Sequence, residues 1–139
     1  MLVDRLFLIA GCSVFILLGA VHGYFTLFSQ KFEPRDKRLM EEMKSASIVL
    51  SRDAFLWKAW IGFNISHSVG AILFGAVFVV LAIENYVYLS GSIALNLVLV
   101  TVPCLYFALA VRYWFAKPRN GILLGLGAIL VSIAVRFFA

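Results

Sequence analysis

The sequence contains few charged residues, and those it has are concentrated in one stretch. Charged residues make up 14% of the chain, whereas about a quarter is usual in soluble proteins. Long stretches carry no charge at all, while residues 31–58 hold most of the lysines, arginines and acidic residues. Apolar residues make up 63% of the 139 residues, and the mean hydropathy is +1.00. This pattern excludes a soluble globular protein and predicts an integral membrane protein.

Cysteine is almost absent, which excludes several kinds of site. The two cysteines, Cys12 and Cys104, lie in apolar stretches and lack the C-x-x-C spacing of a redox dithiol or a zinc knuckle. No metal site is predicted, because no carboxylate accompanies the two histidines within the apolar stretches. The same stretches lack the Asp or Glu that proton-coupled transport usually employs.

Four continuous apolar runs are each long enough to cross a bilayer, which takes about 20 helical residues. No alternation of apolar and polar residues typical of barrel strands is present. Short turns join the later runs, so consecutive helices should lie side by side. We predict an all-α fold: a single transmembrane domain over residues 1–139 that forms an up-down-up-down four-helix bundle. The predicted spans cover residues 6–28, 55–83, 88–115 and 120–138, with Pro118 ending the third.

The longest connection, residues 29–54, is predicted to contain a short amphipathic helix on the membrane surface. Pro34 and Asp36 suit a helix N-terminus. Apolar residues then recur at helical spacing against a charged face: Leu39, Met40, Met43 and Leu50. Such a helix either bridges two spans or forms a lid over a cavity on that side.

The distribution of basic residues predicts the orientation. The connection over residues 29–54 and the third connection are rich in Lys and Arg, whereas the opposite side has only Arg5 and Arg136. By the positive-inside rule the basic loops face the cytoplasm and both termini lie on the non-cytoplasmic side. The net charge of +5 requires no nucleic-acid partner, because a basic rim against the headgroups of membrane lipids accounts for it.

A polar cluster interrupts the second predicted span. Asn64, His67 and Ser68 occupy positions i, i+3 and i+4 of one helix face. Polar groups are costly in hydrocarbon unless they are paired, so they should converge inside the bundle with polar residues of similar depth from other spans. We predict a pocket in the cytoplasmic half of the bundle, lined by His22, Tyr24, Trp57, Trp60, Asn64, His67, Ser68 and Tyr106.

Functions of different classes fit this cluster. The first is binding of a lipid-like small molecule, with His22 or His67 as the acid or base if the protein is a membrane enzyme. The second is a b-type haem with the same two histidines as axial ligands. The third is a structural or accessory subunit, or a component of a proton-coupled transporter, whose polar layer stabilises the bundle. Small-residue pairs such as Gly19 and Gly23 serve either contacts within the bundle or a homo-oligomer interface.

One part of the sequence resembles a known group of proteins. The string WKAWIGFNISHSVGAILFG at residues 57–75 follows a segment rich in methionine and charge, and HGY stands at residues 22–24. Over residues 20–76 the chain resembles a group of small bacterial four-span membrane proteins of uncharacterised function. The resemblance implies a bacterial inner membrane and no particular activity. It also implies a motif built on Trp60, Gly62, Phe63, Asn64, Ser66 and His67.

Overall fold

The computed structural model describes residues 2–138, which are almost entirely helical. Four of the helices are long and apolar enough to cross a membrane. They are Leu2–Phe28 (α1), Leu56–Glu84 (α3), Ile93–Tyr113 (α5) and Ala116–Phe138 (α6). The connections contain two short helices and a two-stranded antiparallel hairpin: Lys37–Ser45 (α2), Tyr86–Gly91 (α4), Ser47–Ile48 (β1) and Ser51–Phe55 (β2). The prediction of an all-α membrane fold is confirmed.

The chain divides into two compact units. The bundle unit consists of the described residues up to Leu18 and those from Ala71 onward, so it contains parts of all four long helices. The loop unit is Gly19–Gly70, which contains the end of α1, helix α2, the hairpin and the beginning of α3. Helices α1 and α3 are continuous and contribute to both units.

Hydrogen bonds at one end of the bundle unit show the directions of its helices. The Tyr86 hydroxyl, just after α3, donates to the carboxylate of Asp4 at the start of α1. The Ser132 hydroxyl, near the end of α6, donates to the Asp4 carbonyl oxygen at 2.6 Å. Arg136 of α6 donates to the Asn96 side chain at the start of α5 at 3.1 Å. Successive long helices therefore run in opposite directions, as the up-down-up-down prediction requires.

Glycines allow the helices of the bundle unit to approach closely. A Cβ atom on Gly75 of α3 would lie 2.5 Å from the carbonyl oxygen of Cys12 in α1. A Cβ atom on Gly11 of α1 would lie 2.8 Å from the carbonyl oxygen of Gly125 in α6. Both distances are too short for real atoms, so backbone would have to move. At these positions the small residues serve contacts within the bundle, which is how small residues commonly act between membrane helices.

The third span begins later than predicted. The sequence favoured one helix from residue 88, but α4 ends at Gly91 and α5 begins at Ile93. Ser92 causes the break because it caps both helices. Its backbone N–H donates to the Tyr88 carbonyl oxygen at 3.0 Å, and its hydroxyl accepts from the Leu95 N–H at 3.3 Å. A serine at this position satisfies an amide of the first turn that has no partner within the helix.

The fourth span begins earlier than predicted. We expected Pro118 to end the third span and the fourth to start near Asn120. Instead α5 ends at Tyr113, and α6 begins at Ala116 with Pro118 as its third residue. Proline is tolerated in the first turn because the missing N–H would have no acceptor there. The proline therefore helps to start α6 and does not separate the two spans.

The connection between the first two spans contains the predicted short helix and a hairpin that was not predicted. Asp36 caps α2, since its side chain accepts from the Arg38 N–H at 2.9 Å. Leu50, which we expected on this helix, lies in the hairpin turn beside Val49, and both side chains are almost fully exposed. The turn lacks the Gly, Asn or Asp residues that usually mark a two-residue hairpin, so no sequence pattern predicted it.

Candidate functional site

The loop unit joins polar residues of α1 and α3 through one hydrogen bond. Nε2 of His22 lies 3.0 Å from Oδ1 of Asn64. The amide nitrogen of Asn64 donates to the Trp60 carbonyl oxygen at 2.8 Å, which fixes the orientation of the amide. Because Oδ1 can only accept, Nε2 of His22 is the donor of this bond, and in the neutral ring Nδ1 is then an acceptor. The bond therefore sets the tautomer of this histidine.

His67 places a second imidazole beside the first. Its ring centroid lies 5.4 Å from that of His22, and the two rings meet at an angle of 76°. Both side chains are half-buried. Within residues 2–138 no group of three His, Cys, Asp or Glu residues is placed to hold a metal ion. We call the two histidines and Asn64 the histidine cluster.

The neighbouring hydroxyl groups are engaged with their own helices. The Ser68 hydroxyl donates to the Asn64 carbonyl oxygen at 3.0 Å, and the Thr26 hydroxyl donates to the His22 carbonyl oxygen at 2.8 Å. Both residues are buried. A Cβ atom on Gly23 would lie 3.3 Å from that of Ser68, so α1 and α3 approach closely here. Ser68, predicted as a ligand contact, lies at this helix contact.

A loop residue covers the histidine cluster and borders a pocket. The ring centroid of Phe32 lies 4.6 Å from that of His22. The Phe32 carbonyl oxygen accepts from Nε1–H of Trp60 at 3.2 Å. These two residues also line a pocket of about 310 Å³, together with Glu33, Pro34 and Met43. Phe32 therefore contacts both the cluster and the pocket.

Besides Ser68, three residues that we predicted for the site lie outside both the histidine cluster and this pocket: Tyr24, Trp57 and Tyr106. Tyr24 is 58% exposed and packs against Phe25 and Phe28 on the outside of α1. Trp57 is half-buried and does not line the pocket. Tyr106 belongs to the bundle unit, where its ring lies 6.4 Å from that of Phe15. The structure thus brings together His22, Trp60, Asn64, His67 and Ser68 in the loop unit.

The histidine cluster as it stands suits hydrogen bonding better than haem ligation. Axial ligation requires each imidazole to direct a nitrogen lone pair at the iron. Nε2 of His22 carries a proton and donates to Asn64. While this bond is kept, only Nδ1 of the neutral His22 ring has a lone pair that could face an iron atom, so ligation through Nε2 would require His22 to leave Asn64.

Sequence reasoning missed Phe32, Glu33, Pro34 and Met43 as pocket residues. All four lie in the connection or on α2, where no periodicity links them to the face of α3 that carries Trp60. The one sequence feature that pointed to them is that the face of α3 that carries Trp60 lies near the end of the helix that follows this connection. Which loop residues meet it depends on a tertiary contact, the hydrogen bond between Trp60 and Phe32.

Sequence reasoning also missed the polar cluster of the bundle unit. Asp4 is 2% exposed and Ser132 is fully buried, and the sequence pattern did not predict that these two residues lie together. Tyr86 lies outside the four long helices, and burial together with its hydrogen bond to Asp4 raises the pKa of its hydroxyl. We call Asp4, Tyr86, Asn96, Ser132 and Arg136 the terminal cluster.

Comparison with known proteins adds no relative. No protein-family model matches the chain, and no curated protein or solved structure matches it. The resemblance of residues 20–76 to small bacterial membrane proteins therefore stays a prediction. The four long apolar helices, whose outward side chains contact lipid, are what the structure establishes.

Proposed function

We propose that this polytopic membrane protein binds a lipid-like small molecule in its loop unit. The observation that carries the proposal is the position of Phe32, whose ring packs against that of His22 and which also lines the adjoining pocket. Mostly apolar walls with a few convergent polar groups are typical of ligand sites. The pocket would hold an apolar or headgroup part of the ligand, and the histidine cluster would supply its hydrogen bonds.

The basic connections support a location at the cytoplasmic face of a bacterial inner membrane. The connection over residues 29–54 carries six of the twelve Lys and Arg of the chain, and such loops remain on the cytoplasmic side. In this orientation both termini lie outside. A lipid-like molecule would reach the pocket from the inner leaflet or from the cytoplasm, and no partner protein is required.

The histidine cluster has the groups for proton exchange as well as for binding. Imidazole is the side chain that gains and loses a proton most readily near neutral pH. His22 and His67 are therefore the residues that would act as acid or base if the ligand is also transformed. Binding is the primary proposal, and proton transfer by either histidine is its catalytic extension.

A second candidate function is structural, and the hydrogen bonds of the cluster support it. Asn64 bonds to His22 and to the Trp60 carbonyl, and two hydroxyl groups bond to carbonyls of their own helices. Interhelical bonds in membranes contribute about 0.6 to 2 kcal/mol each. A network of this kind stabilises the helix pair whether or not a ligand binds.

Native mass spectrometry of the purified protein separates the two functions. We expect the wild type to retain a small molecule that Asn64→Ala and His67→Ala lose. Ser66→Ala is the matched control, because Ser66 lies on the exposed side of the same helix and bonds only to the Phe63 carbonyl. If the wild type carries no ligand and the two variants merely melt at lower temperature, the structural function is correct.

A further inference from the structure

Glu33 is an acidic residue in the wall of an otherwise apolar pocket. Its backbone N–H donates to the Gln30 carbonyl oxygen at 3.2 Å, so a turn fixes its position. The two glutamates of α2 are neutralised by ion pairs, Glu41 with Lys44 at 2.9 Å and Glu42 with Arg38 at 3.0 Å. Among residues 2–138 no lysine or arginine forms an ion pair with Glu33. Its negative charge therefore remains for a cation that enters the pocket.

Two aromatic side chains accompany this carboxylate. The hydrogen bond from Trp60 to the Phe32 carbonyl oxygen holds both residues in the pocket wall. Cations are attracted to aromatic faces within about 6 Å of the ring centroid, most strongly to tryptophan. The nearest lysine in sequence, Lys31, is engaged elsewhere, with its Nζ 3.8 Å from the ring centroid of Phe25. Glu33, Phe32 and Trp60 thus line one pocket, and no lysine or arginine is among the described residues that line it.

The size and walls of the pocket limit what this cation is. Ligand pockets usually measure about 300 to 1,000 Å³, so a volume of about 310 Å³ suits a headgroup and not a whole two-chain lipid. Met43 and Pro34 add apolar surface, which favours a cation that carries hydrocarbon groups. A divalent metal ion fits less well, because Glu33 is the one carboxylate residue among apolar and aromatic lining residues, whereas calcium takes about six to eight oxygen ligands and magnesium is held by carboxylates together with water or phosphate.

We propose that this pocket binds an organic ammonium group, the cation of choline and ethanolamine headgroups. The inference rests on the function proposed above and names the class of its ligand. Glu33 supplies the opposite charge, and Trp60 and Phe32 supply aromatic surface. The oxygen-bearing part of the headgroup extends past Phe32 toward the histidine cluster, which supplies its hydrogen bonds.

Titration with choline and a neutral isostere tests the charge requirement. The full chain is purified in a maltoside detergent, and binding is followed by calorimetry. We expect choline to bind at least about tenfold more tightly than 3,3-dimethylbutan-1-ol, which has the same shape without the charge. The neutral compound cannot form the ion pair or the cation–π contact.

Substitution of Glu33 tests the same requirement from the side of the protein. Glu33→Gln should lose about tenfold in choline affinity, whereas Glu41→Gln, whose side chain does not line the pocket, should lose none. Equal binding of the two compounds, or an unchanged Glu33→Gln variant, overturns the inference.

Lipid retention distinguishes the source of the ammonium group. The protein is exchanged into nanodiscs that contain equal amounts of phosphatidylethanolamine and phosphatidylglycerol, and the bound lipid is identified by mass spectrometry. Preferential retention of phosphatidylethanolamine, reduced in Glu33→Gln, identifies a lipid headgroup as the ligand. Choline binding without this preference identifies a free ammonium compound.

The proposed function and this inference fail in different ways. A ligand that the wild type retains and Asn64→Ala loses, without any preference for ammonium compounds, leaves the proposed function standing and overturns the inference. If no ligand is retained and none of these compounds binds, both are wrong. If the melting curve of Glu33→Gln matches that of the wild type, a loss of affinity in this variant is not caused by unfolding.

Discussion

The two units of the chain each contain a polar cluster, but they surround it differently. In the bundle unit, Asp4 and Ser132 are almost completely buried, and their bonds join the ends of several helices. In the loop unit, His22 and His67 are only half-buried, and Phe32 links them to a pocket. A cluster closed in by packing has no room for a ligand, whereas one beside a pocket does. Polar residues inside an apolar protein therefore indicate function only when space adjoins them.

The space around the glycines also differs between the two units. Gly75 and Gly11 of the bundle unit have no room for a Cβ atom, whereas Gly62 of the loop unit has nothing within 4 Å of that position. Approaches below 3 Å occur at Gly11, Gly75, Gly121 and Gly125 of the bundle unit, although Gly91 and Gly127 of that unit have open space, and the closest approach at Gly23 of the loop unit is 3.3 Å. If this comparison is correct, substitutions in the bundle unit should mainly change stability, and substitutions beside the pocket should mainly change ligand binding.

The largest effect is expected for Gly75→Ala. The new Cβ atom would meet the Cys12 carbonyl oxygen at 2.5 Å, so α1 and α3 would have to separate. We expect a loss of about 3 kcal/mol in the free energy of unfolding, the upper range for overpacking, measured by denaturation in mixed micelles. Gly62→Ala is the control and should be neutral or stabilising by up to about 1 kcal/mol, since alanine favours helix. Equal losses in the two variants would show that the close approach is not real.

Asp4→Ala should have the next largest effect. It removes the acceptor of the Tyr86 hydroxyl, and leaving a partly buried donor without its partner costs about 2 kcal/mol. Tyr86→Phe added to Asp4→Ala should cost little more, because the two side chains act as a pair. Ligand retention should not change. A ligand lost in Asp4→Ala at unchanged stability would contradict the assignment of a structural role to the terminal cluster.

Asn64→Ala should show the opposite pattern. It removes the acceptor of His22 and the bond to the Trp60 carbonyl. We expect a loss of only about 1 kcal/mol in the free energy of unfolding, together with complete loss of the retained ligand in native mass spectrometry. A loss of stability larger than that of Asp4→Ala would place the histidine cluster in the same structural class as the terminal cluster.

The sequence was sufficient for the features that depend on composition and periodicity. Charge-free runs of helical length gave the four spans, and the i, i+3, i+4 spacing placed Asn64, His67 and Ser68 on one face of α3. The prediction that a histidine of the first span meets this face follows from the cost of unpaired polar groups in hydrocarbon. The bond between His22 and Asn64 agrees with it.

The sequence was insufficient where the outcome depends on capping or on tertiary contacts. Ser92 interrupts the third span because its hydroxyl caps α5. A serine within an apolar run does not by itself predict a helix end. Trp57 was assigned to the pocket because it lies three residues before Trp60 on the same face of the helix. It does not line the pocket, because the loop residues that meet this face are determined by a tertiary contact, the hydrogen bond between Trp60 and Phe32.

The smallest effect is expected at the hairpin turn, with Leu50→Ser. Leu50 is 91% exposed and makes no part of the core, so its side chain loses no packing when it is replaced. We expect the free energy of unfolding to change by less than about 0.5 kcal/mol, and ligand retention to equal that of the wild type. Leu99→Ala is the matched comparison from the bundle unit, because Leu99 is fully buried and its truncation should cost about 2 kcal/mol or more.

A larger loss of stability in Leu50→Ser than in Leu99→Ala would mean that the hairpin turn packs against another surface. The contrast between a closely packed bundle unit and an open loop unit would then no longer hold.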